Sequence, residues 1–268
     1  MNLFDSHCHL DVDEFAGDRD AVIARATTAG VIKQLIPAID FDSWPGIRKL
    51  CGEHHGLLPA YGLHPVFIAS HSPAHLDALP EWLRQFRPAA IGECGLDFFV
   101  EGLDAEAQRL CFQRHLELAR EFDLPLVIHA RRAVDEVIQR IRRVGGLRGV
   151  VHSYSGSIEQ AEQLWKLGFC LGIGGPVTYS RALRLRRLVA SMPIEFLLLE
   201  TDSPDQPDAG WRGQRNEPQR LLDIAMCVAE LRGVPLEQIA QQTSDNANRL
   251  FVRESPPPPL QIEPIHHP

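Results

Sequence analysis

The feature that most constrains this chain is an alternation that runs through most of its length. Eight short apolar runs recur at Leu3–His7, Val31–Ile36, Leu57–Leu63, Ala89–Glu93, Leu126–His129, Gly149–His152, Phe169–Ile173 and Phe196–Thr201. Each is only a few residues long and apolar nearly throughout, the pattern of parallel strands buried on both faces. Amphipathic stretches fill most of the gaps, at Arg19–Ala29, Ser43–Glu53, Ala74–Phe86, Asp104–Phe122, Ala133–Arg143, Ile158–Leu167 and Ala182–Ala190. Along Asp104–Phe122, the clearest of them, Ala107, Cys111, Leu118 and Phe122 lie on one row. Two more helical patterns, Pro218–Arg232 and Leu236–Leu250, follow the last apolar run. Gly168 and Gly233 stand just after helical patterns, where a left-handed capping residue is expected. Strands alternating with helices predict an α/β fold, a (β/α)8 TIM barrel forming a single domain over residues 1–252. A doubly wound open sheet is the alternative, disfavoured because no glycine-rich dinucleotide fingerprint is present. The 268 residues suffice for one such core without cross-links. Residues 253–268, with four consecutive prolines, predict an extended or disordered C-terminal arm.

Charge and cysteine usage narrow the class. A net charge of −8 excludes a binder that slides on duplex DNA through a basic surface, but leaves a local phosphate site open. Basic residues are nearly all arginine, with lysine only at 33, 49 and 166. Base composition of the gene accounts for that bias unless a guanidinium sits at a placed phosphate or carboxylate. None of the six cysteines forms a C-x-x-C pair, which suggests reduced thiols. No apolar run is long enough to span a bilayer, and no signal peptide is legible. The expectation is a cytoplasmic monomer with no membrane association and no obligate protein partner.

The barrel hypothesis turns sequence position into place, because active sites of this fold lie at the C-terminal ends of the strands. Apolar runs stop there at chemically capable residues: His7 and His9 in FDSHCHLD, His64 in YGLHP, Glu93 in AIGECGLD, His129 in PLVIHAR, His152 in VVHSYSG and Asp202 in LLLETDSP. Residues two apart in extended chain point the same way, so His7 and His9 can face the axis together. A lone histidine at a strand end is more often a hydrogen-bonded core residue. The joint placement is what argues for a site. His7, His9, Glu93, His129, His152 and Asp202 supply enough imidazole and carboxylate donors for two metal ions, with Glu93 or Asp202 able to bridge. Such mixed ligation suits Zn²⁺, Mn²⁺, Fe²⁺ or Co²⁺, and less comfortably Mg²⁺. Asp5, Asp11 and Asp97 are candidate partners for orienting the histidines. His54, His55, His71, His75 and His115 read as structural.

These motifs, with RNEP at 215–218, resemble the TatD family of metal-dependent deoxyribonucleases, within the amidohydrolase-like metallohydrolases. The resemblance spans roughly residues 1–252. It implies two divalent ions (Mg, Mn or Zn), with His7, His9, Glu93 and Asp202 around one. Glu93 bridges to a second, held by His129 and His152. It places His64 near the substrate phosphate or an extra metal and has Asn216 and Glu217 shape the loop after the last strand. HSYSG departs from the HCFSG-like form associated with the family, which brings Tyr154 to the pocket wall. The implied reaction is hydrolysis of phosphodiesters in DNA ends or single-stranded DNA by a metal-activated water, with Glu93, His64 and Asp202 catalytic and Asp202 the candidate general base. Arg131, Arg132, Arg181, Arg212 and Arg215 fall in loops on the catalytic face; with His64 and Asn216, Arg131 and Arg181 are the expected substrate contacts. Trp211 is a candidate stacking surface. The competing reading is a small-molecule amidohydrolase, lactonase or phosphotriesterase with the same metals, since activated water attacks carbon or phosphorus alike. A non-catalytic, metal-holding binding barrel is a more distant rival.

Overall fold

The computed structural model describes residues 1–252; the arm expected at 253–268 lies outside the described residues. Eight parallel strands form one sheet in sequence order: β1 (Leu3–Asp5), β2 (Val31–Pro37), β3 (Leu57–Tyr61), β4 (Ala90–Asp97), β5 (Leu126–Arg131), β6 (Gly149–Val151), β7 (Phe169–Ile173) and β8 (Leu197–Leu199). The helices that cover it are α1 (Arg19–Thr28), α2 (Trp44–Glu53), α3 (Pro73–Phe86), α4 (Ala105–Phe122), α5 (Val134–Val144), α6 (Ile158–Lys166), α7 (Leu183–Ser191), α8 (Leu221–Arg232) and α9 (Leu236–Phe251). Local chemistry explains several boundaries. Asp104 accepts from the amides of Glu106 and Ala107 to start α4, and Ser157 and Gln160 form a capping box at the start of α6. Gly168 and Gly233 follow α6 and α8 at φ +83° and +65°, the left-handed positions expected of them.

The circle closes just past the strands. The Ser6 amide donates to the Leu199 carbonyl at 2.9 Å, the Asp202 amide to the His7 carbonyl at 2.9 Å, and the His9 amide to the Ser203 carbonyl at 2.8 Å. The result is a (β/α)8 barrel.

Its interior is filled from the bottom. Phe4, Leu35, Ala60, Ala90, Val127, Val150, Cys170 and Leu198, one from each strand, form an apolar cluster with Ala247 and Phe251 of α9. The last helix thus plugs the N-terminal end, its Asn246 donating to the carbonyls of Ile194 and Leu197. The larger core lies between strands and helices.

The two-residue repeat of a strand then dictates what stands above that floor. Val127 leads to His129, Val150 to His152, Ala60 to Gly62 and His64, and Leu198 to Glu200 and Asp202. On β7 the residue two beyond Cys170 is Gly172, where an added Cβ would fall 2.0 Å from the Glu200 carboxylate.

Strand bounds shift from those expected, and two of the shifts bear on the site. Strand pairing of β1 ends at Asp5, so HCH lies beyond it. β4 continues past Glu93 to Asp97, because its register against β5 shifts between Ile91 and Cys94 and resumes at Cys94↔Ile128, with Gly95 then opposite His129. A side chain at Gly95 would meet the His129 carbonyl at 2.0 Å, so only glycine lets the strands run on together. The shift puts Glu93, three residues from Ala90, on the inner face, and carries Asp97 alongside His129.

His115 is structural, as expected. It is fully buried on α4, where its Nδ1 donates to the Cys111 carbonyl at 2.8 Å and its Nε2 accepts from the Leu63 amide at 3.1 Å. Burial, against that backbone bond and with the charges of His71 and Arg114 adding to it, pushes its pKa from 6.5 down to about 4. Between those values the unfolded chain binds the extra proton, so this contribution is complete above pH 6.5 and is lost as pH falls toward 4. It amounts to on the order of 3 kcal/mol. His115→Gln should be less stable than the parent at pH 8 but show a flatter decline of Tm between pH 6.5 and 4. Parallel declines in thermal melts would rule out His115 as the source.

Candidate metal centre

All seven strand-end residues singled out by sequence meet at the C-terminal mouth of the barrel, around Glu93. Its two carboxylate oxygens face different groups. Oε2 lies 3.1 Å from His7 Nε2 and 3.6 Å from His9 Nε2. On that side Asp202 Oδ1 lies 3.4 Å from His7 and 3.7 Å from His9. Oε1 lies 2.9 Å from His64 Nε2, 3.3 Å from His129 Nδ1 and 2.8 Å from His152 Nε2. The rings of His7 and His152 stack at 4.0 Å between the two groups.

Backbone and carboxylate partners decide which imidazole atoms face the site. The HCH segment stays extended: Cys8 turns away toward Gln34 and Leu35, leaving the histidines on either side to project together. Asp5 anchors this segment to the end of β8, its carboxylate accepting from the His7 amide and from the amide and hydroxyl of Thr201. His129 donates Nε2–H to Asp97 at 2.8 Å, so its Nδ1 lone pair points at Glu93. Asp97 is fixed in turn by the amides of Phe99 and Val100. Burial raises its pKa, but the bonds from His129 and those amides outweigh this and hold it at about 2.

His64 is the opposite case. Its Nδ1 accepts from the Val66 amide at 3.1 Å, so neutral His64 carries its proton on Nε2, aimed at Glu93. Burial lowers its pKa, which favours that neutral form.

The donor set asks for positive charge. Nε2 of His7 and His9 approach to 3.1 Å, and Nδ1 of His129 and Nε2 of His152 to 3.2 Å. Among the described residues no lysine or arginine pairs with Glu93 or Asp202. Buried polar atoms without a hydrogen bond include the Nδ1 atoms of His7, His9 and His152. Burial works against an ionised Glu93, yet His64, His152 and His7 hold its carboxyl well below the usual range. Burial and His152 push His7 down to about 4. Burial opposes a charged His152, but Glu93 drives it up to about 10. An anionic pocket of imidazole and carboxylate donors fits divalent cations.

Sequence reasoning missed Glu200. It is fully buried behind His152, its Oε1 3.8 Å from the Nδ1 of that ring and bonded to the Ser153 amide. Burial pushes it up to about 8. Two-residue spacing from Leu198 and Asp202 was the available signal. Gln206, also missed, donates to Asp202 Oδ2 and accepts from the Ser153 hydroxyl.

A cavity of about 990 Å³ opens above the cluster, with Arg131 and Arg181 on its wall. Tyr154 also reaches it, with its hydroxyl turned to the Ser157 carbonyl. Three other expectations fall elsewhere. Asn216 is buried inside the loop after β8, where it donates to the carbonyls of Thr201 and Asp205 and so shapes that loop as expected, but it does not face the cavity as a substrate contact would. Arg215 is spent on Asp18 and Glu217. Trp211 donates to the Arg215 carbonyl beneath the Arg220 guanidinium, and is not a wall of the cavity.

The family model described as TatD related DNase matches residues 4–252. The chain belongs to the TatD family. Among its relatives is YjjV of Escherichia coli K12, named an uncharacterized metal-dependent hydrolase, 39% identical over 253 residues that cover 93% of this chain and 97% of the relative. The crystal structure of YjjV superposes with a TM-score of 0.89 at 37% identity, covering 93% of this chain and 97% of that one. A relative from Klebsiella pneumoniae, 33% identical over 258 residues with 93% and 97% coverage, is named 3'-5' ssDNA/RNA exonuclease TatD. This TatD-family chain is accordingly a metal-dependent hydrolase.

Asp97 offers a direct check on the centre. Asp97→Ala frees the His129 ring and should weaken divalent-cation binding ~10–100-fold. Calorimetric titration of metal-stripped protein measures it; unchanged affinity would remove His129 from the centre.

Proposed function

We propose that this chain hydrolyses phosphodiester bonds of DNA, acting on single strands or strand ends and removing nucleotides exonucleolytically. The observation that carries the reading is the division of the Glu93 carboxylate between two donor groups at the floor of an arginine-walled cavity. That division suits two divalent ions, Mg, Mn or Zn. His7, His9 and Asp202 would hold one, His129 and His152 the other, with Glu93 between. When bound, such ions polarise a phosphoryl oxygen and make water acidic enough to serve as nucleophile near neutral pH. The exonuclease name of the Klebsiella relative points the same way.

The remaining roles follow from the protein's own groups. Asp202 has one oxygen toward His7 and the other tied to Gln206, and its side chain is partly accessible from the cavity. It is the carboxylate placed to take a proton from the attacking water. Water oxygen bonds to phosphorus as the ester P–O bond breaks, and the departing oxygen must gain a proton. Asp202 can return the proton it has taken to that oxygen, while neutral His64 keeps its own proton and offers Nε2–H as a hydrogen-bond donor to a phosphate oxygen or to the leaving group. Arg131 and Arg181 on the wall can hold neighbouring phosphates through their planar forks. The Arg131 guanidinium is braced 3.6 Å over the Phe99 ring. A local basic rim lets an acidic protein receive a polyanion without a basic surface.

The test is shortening of end-labelled single-stranded DNA by metal-stripped protein, with Mg²⁺, Mn²⁺ or Zn²⁺ returned singly. Cleavage should require metal and disappear in Glu93→Ala. Asp202→Asn, with metal content measured alongside, should lose ~10²–10⁴-fold in turnover. Metal bound without cleavage by any of the three ions would overturn the nuclease reading in favour of a small-molecule hydrolase.

A further inference from the structure

Two aromatic side chains on the catalytic face remain exposed, Phe67 at 41% and Phe99 at 42%. They are not equivalent. Phe99 already has the Arg131 and Arg132 guanidinium groups at 3.6 and 4.6 Å from its ring centre, so it is occupied in positioning arginines. Phe67 lines the cavity, and its recorded ring neighbour is His64, at 5.7 Å and 59°.

A single exposed apolar side chain is ordinary on a protein surface. Phe67 is distinguished by how it is held. It sits in the 3₁₀ turn Pro65–Ser70, directly after His64 in GLHPVF. Its amide donates to the His64 carbonyl at 3.1 Å and its carbonyl accepts from the Ser70 hydroxyl at 2.8 Å. The Val66 amide between them bonds His64 Nδ1, and the His71 ring bonds the His64 carbonyl. One tightly bonded turn therefore fixes both the His64 N–H at the centre and an aromatic ring at the cavity wall.

We propose that Phe67 is a stacking platform for a nucleobase, that of the nucleotide whose phosphate lies at the metal centre. This inference rests on the nuclease reading and names the part of the substrate that the centre itself does not explain. In a nucleotide one sugar ring separates base from phosphate, a span comparable with the His64–Phe67 separation. Every base has a π-face, so the platform is sequence-tolerant, as removal of successive nucleotides requires. Opposite chemistry on the wall, Arg131 and Arg181, serves the backbone.

The experiment compares the metal-loaded parent, Phe67→Ala and Phe67→Trp on a single-stranded oligonucleotide. The same oligonucleotide with abasic sites at both terminal nucleotides is run in parallel. On intact DNA, Phe67→Ala should raise KM about 10-fold, within the roughly 5- to 150-fold that loss of one stack gives, with kcat little changed. Phe67→Trp should restore the parent KM. On abasic DNA the parent should already show the raised KM and Phe67→Ala should add nothing. Cleavage by the parent with Phe67→Ala indistinguishable on intact DNA, or with the same loss on both substrates, overturns the platform and leaves the nuclease standing. A parent that cleaves neither substrate takes down both readings.

Discussion

The structure depends on one buried carboxylate. Glu93 is almost fully enclosed, and an ionised group there is tenable only if positive charge or hydrogen-bond donors surround it. Histidines His7, His9, His64, His129 and His152 do so, from four different segments of the chain. Bringing those segments together is what the barrel accomplishes. Closure between β8 and the HCH segment is made by backbone bonds at Ser6, His9 and Asp202, so the same contacts that complete the barrel also set the first two histidines against Asp202. Fold stability and site geometry are therefore not separable at this seam.

Much of this architecture can be read from the sequence because it rests on two periodicities. Apolar runs of strand length, separated by helical stretches, specify a parallel α/β fold, and the fold specifies which end of each run carries chemistry. The legible residues, His129, His152 and Asp202, are those an even number of positions above a strand's interior residue. Glu93 was found by its motif, but its orientation was not legible, since it sits three residues from Ala90. It faces inward only because the β4–β5 register shifts and Gly95 permits close approach. The same shift lengthens β4, which no propensity along that stretch announces.

What sequence reading placed wrongly were polar residues whose partners, near or remote in the chain, are set by the folded loop after β8. Asn216 has the chemistry of a phosphate contact, but its side chain satisfies carbonyls inside its own loop, which would otherwise be buried unpaired. Arg215 sits close to the mouth in sequence, yet Asp18 on the approach to α1 claims it, a pairing across 197 positions. Trp211 is held by a near neighbour instead, under the Arg220 guanidinium. Conversely Glu200 escaped notice because it lies inside the expected strand Phe196–Thr201, whose chemistry was read only at Asp202. Its significance arises only where Gly172, on the neighbouring strand, leaves room for it behind His152.

The histidines of the centre are alike in sequence and unlike in the role their surroundings assign. For His129 the donor nitrogen is engaged by Asp97, leaving a lone pair for a cation; for His64 the lone pair is engaged by a backbone amide, leaving a proton. Neither distinction depends on the imidazole, since both rings are buried against the same Glu93 oxygen. It depends on whether the partner behind the ring can only accept or only donate. A carboxylate behind the ring makes a ligand, and an amide makes a hydrogen-bond donor. That rule separates binding a metal from acting on a phosphate within a cluster that composition alone would call uniform. It also explains why the turn beginning at His64 must be rigid: a ring that rotated would offer its lone pair to the centre and lose the proton that the chemistry needs there.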